Sequence, residues 1–328
     1  MILRTALAMI VVLASSLAAA ATSPATSSIA WPTRPVRFIV PFPPGSSTDN
    51  AARVIAVKLS SALGQQVVID NRAGASGNIG METAARAAAD GHTLVLGTTS
   101  TLAVAPAINP RLSYNVMRDL APVSMIGSSP YVIAVHPSVQ AENLAQLIML
   151  AKSKPGQIAY GSAGSASLGH LGGELFCNMT GVRFNHVAYK SSALAAMDVL
   201  SGRVELQWGS ISPTLPHIRS GKLRALATTG AKRVTALPEV PTVIEAGVRA
   251  YEVSLWIGVL VPAATPPSIV DRLDLHMAGI LEASDLQQAL IAQGWEPDKT
   301  TPAAFAQRIR DETAKWRTVA SSAGVRND

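Results

Sequence analysis

Few folds can accommodate the stretch Val36 to Arg53, VRFIVPFPPGSSTDNAAR. Val36 to Val40 is short, apolar and rich in β-branched residues, the pattern of a buried strand. Pro41, Pro43 and Pro44 lack a backbone N–H and stop any ladder or helix. Gly45 permits a tight bend. Ser46, Ser47, Thr48 and Asp49 are residue types that cap helix N-termini, and from Asn50 the pattern turns helical through Val54, Val57 and Leu59. A strand, a tight turn and a capped helix start together make a generic anion site, because free N–H groups and hydroxyls stand at the positive end of the helix dipole. The same residues also describe an ordinary βα connection with a good cap.

The chain around this stretch can bury a large core. Hydrophobic residues are 48% of its 328 and charged residues 15%, which excludes a disordered or acidic-tail protein. Its length suits two domains. Residues 1–21 place one basic residue, Arg4, before an apolar run and small residues at Ala19 to Ala21, which is the plan of a secretory signal peptide. The run is short for a spanning helix, and no cysteine stands near the cleavage zone for a lipid anchor. A signal anchor that stays in place is the alternative. A soluble, exported chain is therefore expected. Loss of Arg4, the one charged residue of 1–21, takes the formal charge from +6 to +5. No Lys/Arg block accompanies that excess, so nucleic acid is not expected as a partner. Cys177 is the single cysteine, reads as a small buried hydrophobe and cannot form an internal bridge.

Repeated βα units follow. Val67 to Ile69 reads as a strand entering the Gly-rich loop Asp70 to Gly80, with a helix over Met81 to Ala89. Thr93 to Leu96 is the next strand, and Gly97 to Thr101 ends it with hydroxyls. Such units indicate an α/β fold with a largely parallel sheet. Pro122 to Ile126 and Tyr131 to Val135 read as two strands around Gly127-Ser128-Ser129-Pro130, taken as a first crossing between domains. Asn143 to Ser153 reads as helix and Gln157 to Tyr160 as strand. Gly161 to Ser167 then enters a helix through Leu171, Leu175 and Phe176, mirroring the opening stretch. Ala193 to Ser201 is a helix, Val204 to Trp208 a strand, Leu215 to Ser220 a helix, and Leu223 to Thr228 a strand returning to the first domain. Glu239 to Gly247 reads as a turn and short helix, Ser254 to Val261 as a strand. Helices start at Pro266-Pro267 and at Thr301-Pro302, the latter with Phe305, Ile309, Trp316 and Val319 as its buried stripe.

Catalytic signatures are weak. There is no G-x-S-x-G elbow, and the six histidines are scattered without a zinc-ligand spacing. Gly74 to Gly80 is spaced G-x-x-G-x-x-G, so the dinucleotide fingerprint fails. No metal or cofactor is expected. His170, at the mouth of the second Gly/Ser loop, suits a helix-start hydrogen bond better than a general base; an exported α/β hydrolase using His170 with Ser162 or Ser165 is the enzyme alternative. More specific than either loop is their pairing. Gly45 to Asp49 and Gly161 to Ser167 open two separate α/β halves. If the halves face each other, two helix N-termini converge on one cleft and can hold a carboxylate through N–H and O–H donors.

These residues resemble the periplasmic substrate-binding proteins of tripartite tricarboxylate transporters, also called the Bug family. The resemblance is carried by PFPPGSSTDNAAR, by Asn71 to Gly80, by Asp90-Gly91-His92-Thr93-Leu94 and by Tyr160-Gly161-Ser162. His170 to Phe176, His186 to Lys190, Gly221 to Ala227, Leu237 to Thr242 and Glu245-Ala246-Gly247 complete it. It implies a two-lobed, flytrap-like α/β fold of the type II periplasmic binding protein kind, with mostly parallel sheets flanked by helices. Lobe 1 is expected over 31–127 plus 228–328 and lobe 2 over 128–227. It implies capture of a small organic carboxylate by a monomer, with membrane transporter subunits as further partners and a membrane sensor as the rival role. The implied ligand-binding residues are Gly45, Ser46, Ser47, Thr48 and Asp49, then Thr98 and Ser100, then Ser162, Ala163, Gly164, Ser165, Ser167 and His170. Trp208 and Ser210 join them, Trp208 packing beneath the ligand or touching an apolar tail. The family usually has glycine at the Ser46, Ser76 and Ser191 positions and proline at those of Ala73 and Ala188. Many members carry Asp-Asn where Gly209-Ser210 stand. Loss of that carboxylate points to a pocket for a carboxylate without an amino group.

Overall fold

The computed structural model describes residues 31–322 and 324; the expected signal peptide, 1–21, lies outside them. In chain order the elements are β1 (Val36–Val40), α1 (Ser47–Leu63), β2 (Val67–Asn71), α2 (Asn78–Ala85), β3 (Thr93–Thr98), α3 (Ala105–Ile108) and α4 (Val116–Asp119). Then come β4 (Leu120–Val135), α5 (Leu144–Ser153), β5 (Ala159–Ser162), α6 (Leu168–Thr180), β6 (Asn185–Ala188), α7 (Ser192–Leu200), β7 (Leu206–Ser210), α8 (Ile211–Arg219) and β8 (Arg224–Thr228). The last are β9 (Ser254–Pro262), α9 (Pro267–Glu282), α10 (Ser284–Ala292), β10 (Glu296–Pro297) and α11 (Pro302–Ser322).

The strands form one sheet in the order β2-β1-β3-β9-β4-β7-β5-β6, with β8 and β10 also paired to β4. The βα units behave as the sequence predicts: β1 pairs parallel with β2 and β3, and β5 pairs parallel with β6 and β7. Around the middle the sheet departs from the mostly parallel expectation, because β9 runs antiparallel to β3 and β4, and β7 and β8 run antiparallel to β4.

The expected break at Gly127 to Pro130 does not occur. β4 is one 16-residue strand through both half-sheets, with register shifts between Pro122 and Ser124 and between Met125 and Gly127. Pro130 is tolerated because it lies opposite Ser254, the first residue of β9, where one ladder ends, while the next begins at Tyr131. Position along β4 also aligns the two halves. Thr98, the last residue of β3, is level through Ile257 with Gly127. Ser210, the last residue of β7, lies opposite Tyr131. The carboxyl ends of the parallel strands of both halves therefore meet the same short piece of β4, Gly127 to Tyr131, about 13 Å long. The loops leaving β1 and β3 face those leaving β5 and β7 across it.

Aromatic and aliphatic side chains fill both faces. Trp256 packs edge-on to Phe305 of α11 at 5.7 Å, and Phe305, Ile309 and Trp316 are buried, as their spacing predicts. Val132, Ala134, Val199, Ile211 and Leu215 belong to one buried cluster beside β4. Over Glu239 to Gly247 the expected short helix is absent and the chain makes turns. The start signal is genuine there: Thr242 and Glu245 exchange capping bonds of 2.8 and 3.0 Å, but Gly247 ends the turn before a helix propagates. Helix α10 and the two-residue β10 had no distinct sequence signal, and β10 is anchored by pairing to Gly127 and Ser128.

Thr229, just after β8, ties β4 to the residue before β9. Its N–H donates to Tyr131 O at 2.9 Å, its hydroxyl accepts from Tyr131 N at 2.7 Å and donates to Val253 O at 2.5 Å, and its carbonyl accepts from Val253 N at 2.8 Å. Thr229 and Val253 are fully buried. Thr229→Val keeps the shape but strands the Tyr131 N–H, which should lower the unfolding free energy by about 2 kcal/mol in urea titrations. Thr229→Ser should recover most of that loss.

Candidate functional site

The first loop is a β-turn closed by Ser46 N donating to Pro43 O at 3.2 Å, with Gly45 at φ +78°. Pro44 and Gly45 are the central pair of a type II turn, which demands a positive φ at its second position. Ser46 is the N-cap of α1 and accepts from Asp49 N at 3.2 Å. Its φ of −67° is unstrained, so serine here supplies a cap without backbone penalty. Asp49 turns back into the protein. One carboxylate oxygen accepts from Gly45 N at 2.8 Å and Arg53 Nε at 2.9 Å; the other accepts from Asn71 Nδ2 at 2.8 Å.

The second loop repeats this construction. Ser167 N donates to Gly164 O at 3.2 Å, Ala166 holds the positive φ at +57°, and Ser167 caps α6 by accepting from His170 N at 3.2 Å. Ala166 N donates to His170 Nδ1 at 3.0 Å, as Gly45 N does to Asp49. The two helix starts thus share a turn, a serine cap and an acceptor three residues past the cap. In the first jaw that acceptor is a carboxylate and in the second an imidazole. Among the described residues, Ser47 and Thr48 of α1 and Leu168 and Gly169 of α6 keep backbone N–H groups without a partner.

Other expected ligand residues divide between the cleft edge and the interior. Asp49 and Thr98 are completely buried. Thr98 exchanges bonds with Thr101, at 3.0 Å from Thr98 N to Thr101 Oγ1. Asp49 and Thr98 therefore shape their loops from below rather than presenting side chains to the cleft. Trp208 is likewise wholly buried, its Nε1 donating to Tyr251 OH at 3.0 Å among Tyr160, Phe176 and Phe184. Ser46, Ser47, Ser100, Ala163, Gly164, Ser167, His170 and Ser210 are half-buried and Ser165 is exposed. Ser210 Oγ, at the N-cap of α8, lies 3.3 Å from the Oγ of Ser192, the first residue of α7. A Cβ at Gly209 would fall 2.7 Å from Gln207 Cδ, so a side chain there requires the end of Gln207 to move.

Sequence reasoning missed Asn71 and Arg53, which hold Asp49, and His186, which holds Ser162. The i,i+4 spacing of Asp49 and Arg53 on one helix was a usable signal for that pair, whereas Asn71 lies on β2 and carried none. His186 carried none, because its partner lies on the neighbouring strand. Its Nε2 is 2.7 Å from Ser162 Oγ, so Ser162 pairs with His186 and not with His170 as the hydrolase alternative required. Ser162 is completely buried, and among the described residues no carboxylate bonds either nitrogen of His186. A nucleophile needs access and an oriented base, and this pair has neither.

Burial disfavours the charged form of Asp49, but Arg53, Asn71 and the Gly45 N–H outweigh it and hold the carboxyl below its ordinary range. Burial lowers His170 against a weaker opposing pull from Glu174. His186 is lowered to about 4, first by burial and then by His170.

Residues 51–325 fit the model of the tripartite tricarboxylate transporter family receptor. The chain belongs to that receptor family. It is 41% identical to Protein BugT of Bordetella pertussis over 301 residues, 92% of each chain. Among solved structures it is similar to R. palustris Rpa4515 with adipate, at 38% identity and TM-score 0.83, covering 90% of this chain and 99% of that one. It is also similar to MatC of Rhodopseudomonas palustris with bound malate, at 29% identity and TM-score 0.78, covering 88% and 99%. The mixed directions arise at β4, whose first part pairs antiparallel with β9 and whose last part pairs antiparallel with β7 and β8.

Because the folded pKa of Asp49 is depressed, its contribution to stability is complete above the unfolded value near 3.9 and is lost as pH falls through the folded value. Asp49→Asn should therefore cost about 1–2 kcal/mol at pH 7. The gap to wild type in urea unfolding should close as the solution is acidified below about pH 4.

Proposed function

We propose that this receptor captures a small organic carboxylate without an amino group between its two lobes, and that closure around the ligand presents it to membrane subunits of a tripartite transporter. The observation that carries the reading is the pair of matched helix starts, each leaving two open N–H donors on the cleft side of its cap. A carboxylate bound there gains charge-assisted hydrogen bonds and two favourable helix dipoles without a buried arginine. Relatives with adipate and with malate support the ligand class. Against an ammonium group stands Gly209-Ser210, where no carboxylate is present and Gln207 fills the space over Gly209. Lobes over 31–127 plus 228–328 and over 128–227 fit the change of ladder at Pro130 and Tyr131. Ligand-dependent closure about those crossings is the mechanism, with affinity arising from preference for the closed state. The receptor acts as a monomer in the periplasm and catalyses no reaction. No helix of the described residues is long and apolar enough to cross a membrane.

A thermal-shift and calorimetric panel tests this directly. Simple mono- and dicarboxylates should raise the melting temperature, a ligand at a hundred times its Kd adding about 2.7 kcal/mol. Aspartate and glutamate should not. Tight aspartate binding with no response to any simple acid would overturn the reading.

A further inference from the structure

Ser162 sits beneath the second jaw with more hydrogen-bond neighbours than one hydroxyl can serve. Its Oγ lies 2.7 Å from His186 Nε2, 3.1 Å from Gly164 O, 3.3 Å from Gly164 N and 3.2 Å from Ser167 Oγ. A hydroxyl has one proton to give and two lone pairs to fill. Gly164 N–H occupies one lone pair permanently. The other can be filled by the Ser167 hydroxyl or by a protonated His186 Nε2, but not by both.

Two arrangements follow. With Nε2 bare, Ser162 donates to His186 and accepts from Ser167, whose proton then points down into the protein. With Nε2 carrying a proton, His186 donates to Ser162, Ser162 donates to Gly164 O, and Ser167 is released. The Ser167 oxygen keeps its cap bond from His170 N in either case, so its freed proton can turn to the cleft. We propose that His186 is a positioning residue for ligand capture: by shifting its ring proton to Nε2 it frees the Ser167 hydroxyl to donate to the bound carboxylate. The inference rests on the carboxylate-receptor reading above.

The surroundings of His186 suit a neutral ring that changes tautomer. His170 of α6 stacks on it at 3.9 Å with an interplanar angle of 11°, and Tyr160 of β5 lies 4.9 Å away. His170 Nδ1 is committed to Ala166 N, and its Nε2 is 3.9 Å from Glu174 Oε1. Tyr160 OH also donates to Glu174 at 3.1 Å. Two stacked imidazoles resist a shared positive charge, and burial depresses both. The uncharged route, a proton moved between ring nitrogens through solvent, needs no charge in the stack. Asp49, the first jaw's counterpart of His170, has no such relay beneath it; its three partners are all donors.

Nitrogen-15 spectra of the histidine rings and calorimetry with adipate and malate as probes test the proposal. At pH 7 the free protein should show His186 with Nε2 unprotonated, and saturation with either probe should move the proton to Nε2. His186→Phe preserves the stack but removes the relay, and should weaken binding roughly tenfold. His186→Gln, which restores an N–H donor, should recover most of that loss. With Ser167→Ala already in place, His186→Phe should cost nothing further, because the hydroxyl it controls is gone. A protonated Nε2 in the free protein, or fully additive losses in the double variant, would overturn the proposal. Absence of binding by both probes counts against the carboxylate reading instead, and the free-protein spectrum still decides the tautomer.

Discussion

The register along β4 is the constraint on which the receptor depends. A single strand serves two half-sheets, and its central residues are level with the carboxyl ends of the parallel strands on both sides. Every loop that starts a helix near the cleft inherits its position from that alignment. Thr229 makes the arrangement specific, since its side chain and backbone tie Tyr131 of β4 to Val253, the residue before β9. A slip of one residue in β4, which is buried along nearly its whole length, would exchange the side chains its two faces present to the core and carry the second jaw off the axis of the first.

Within that frame the two jaws are variations on one local design. Turn, serine cap and acceptor at the third helical position recur at Ser46 and Asp49 and at Ser167 and His170. The difference between the acceptors has a physical consequence. The carboxylate of Asp49 is held by Arg53 and Asn71, so the first jaw is fixed at neutral pH. The imidazole of His170 stacks on a second imidazole that reaches Ser162, so the second jaw contains protons that can be rearranged. A rigid jaw opposite an adjustable one suits a receptor that must grip an anion and later let it go.

Much of this was legible in the sequence, and the failures have specific causes. Strand, turn and cap at Val36 to Asp49 were readable because prolines, a glycine and hydroxyls punctuate the chain locally. The second jaw was readable by analogy with the first. Pro130 misled, because proline forbids a strand interior only where a partner needs its N–H, and at the junction of two ladders none does. Asp49 and Trp208 carried ligand roles through the resemblance alone, and residue type and position do not reveal which way a side chain turns. Burial and committed partners decide that, and these arise from contacts with Asn71 and Tyr251 far along the chain. His186 and Thr229 were invisible for the same reason: their importance lies in partners on other strands.

The central claim is that both helix starts hold one ligand at once. It is tested most directly by following backbone amide resonances during a carboxylate titration. The account predicts that Ser47 and Thr48 of the first jaw and Leu168 and Gly169 of the second shift together along one binding curve with a single Kd. Shifts confined to one jaw, or two curves with different midpoints, would contradict it.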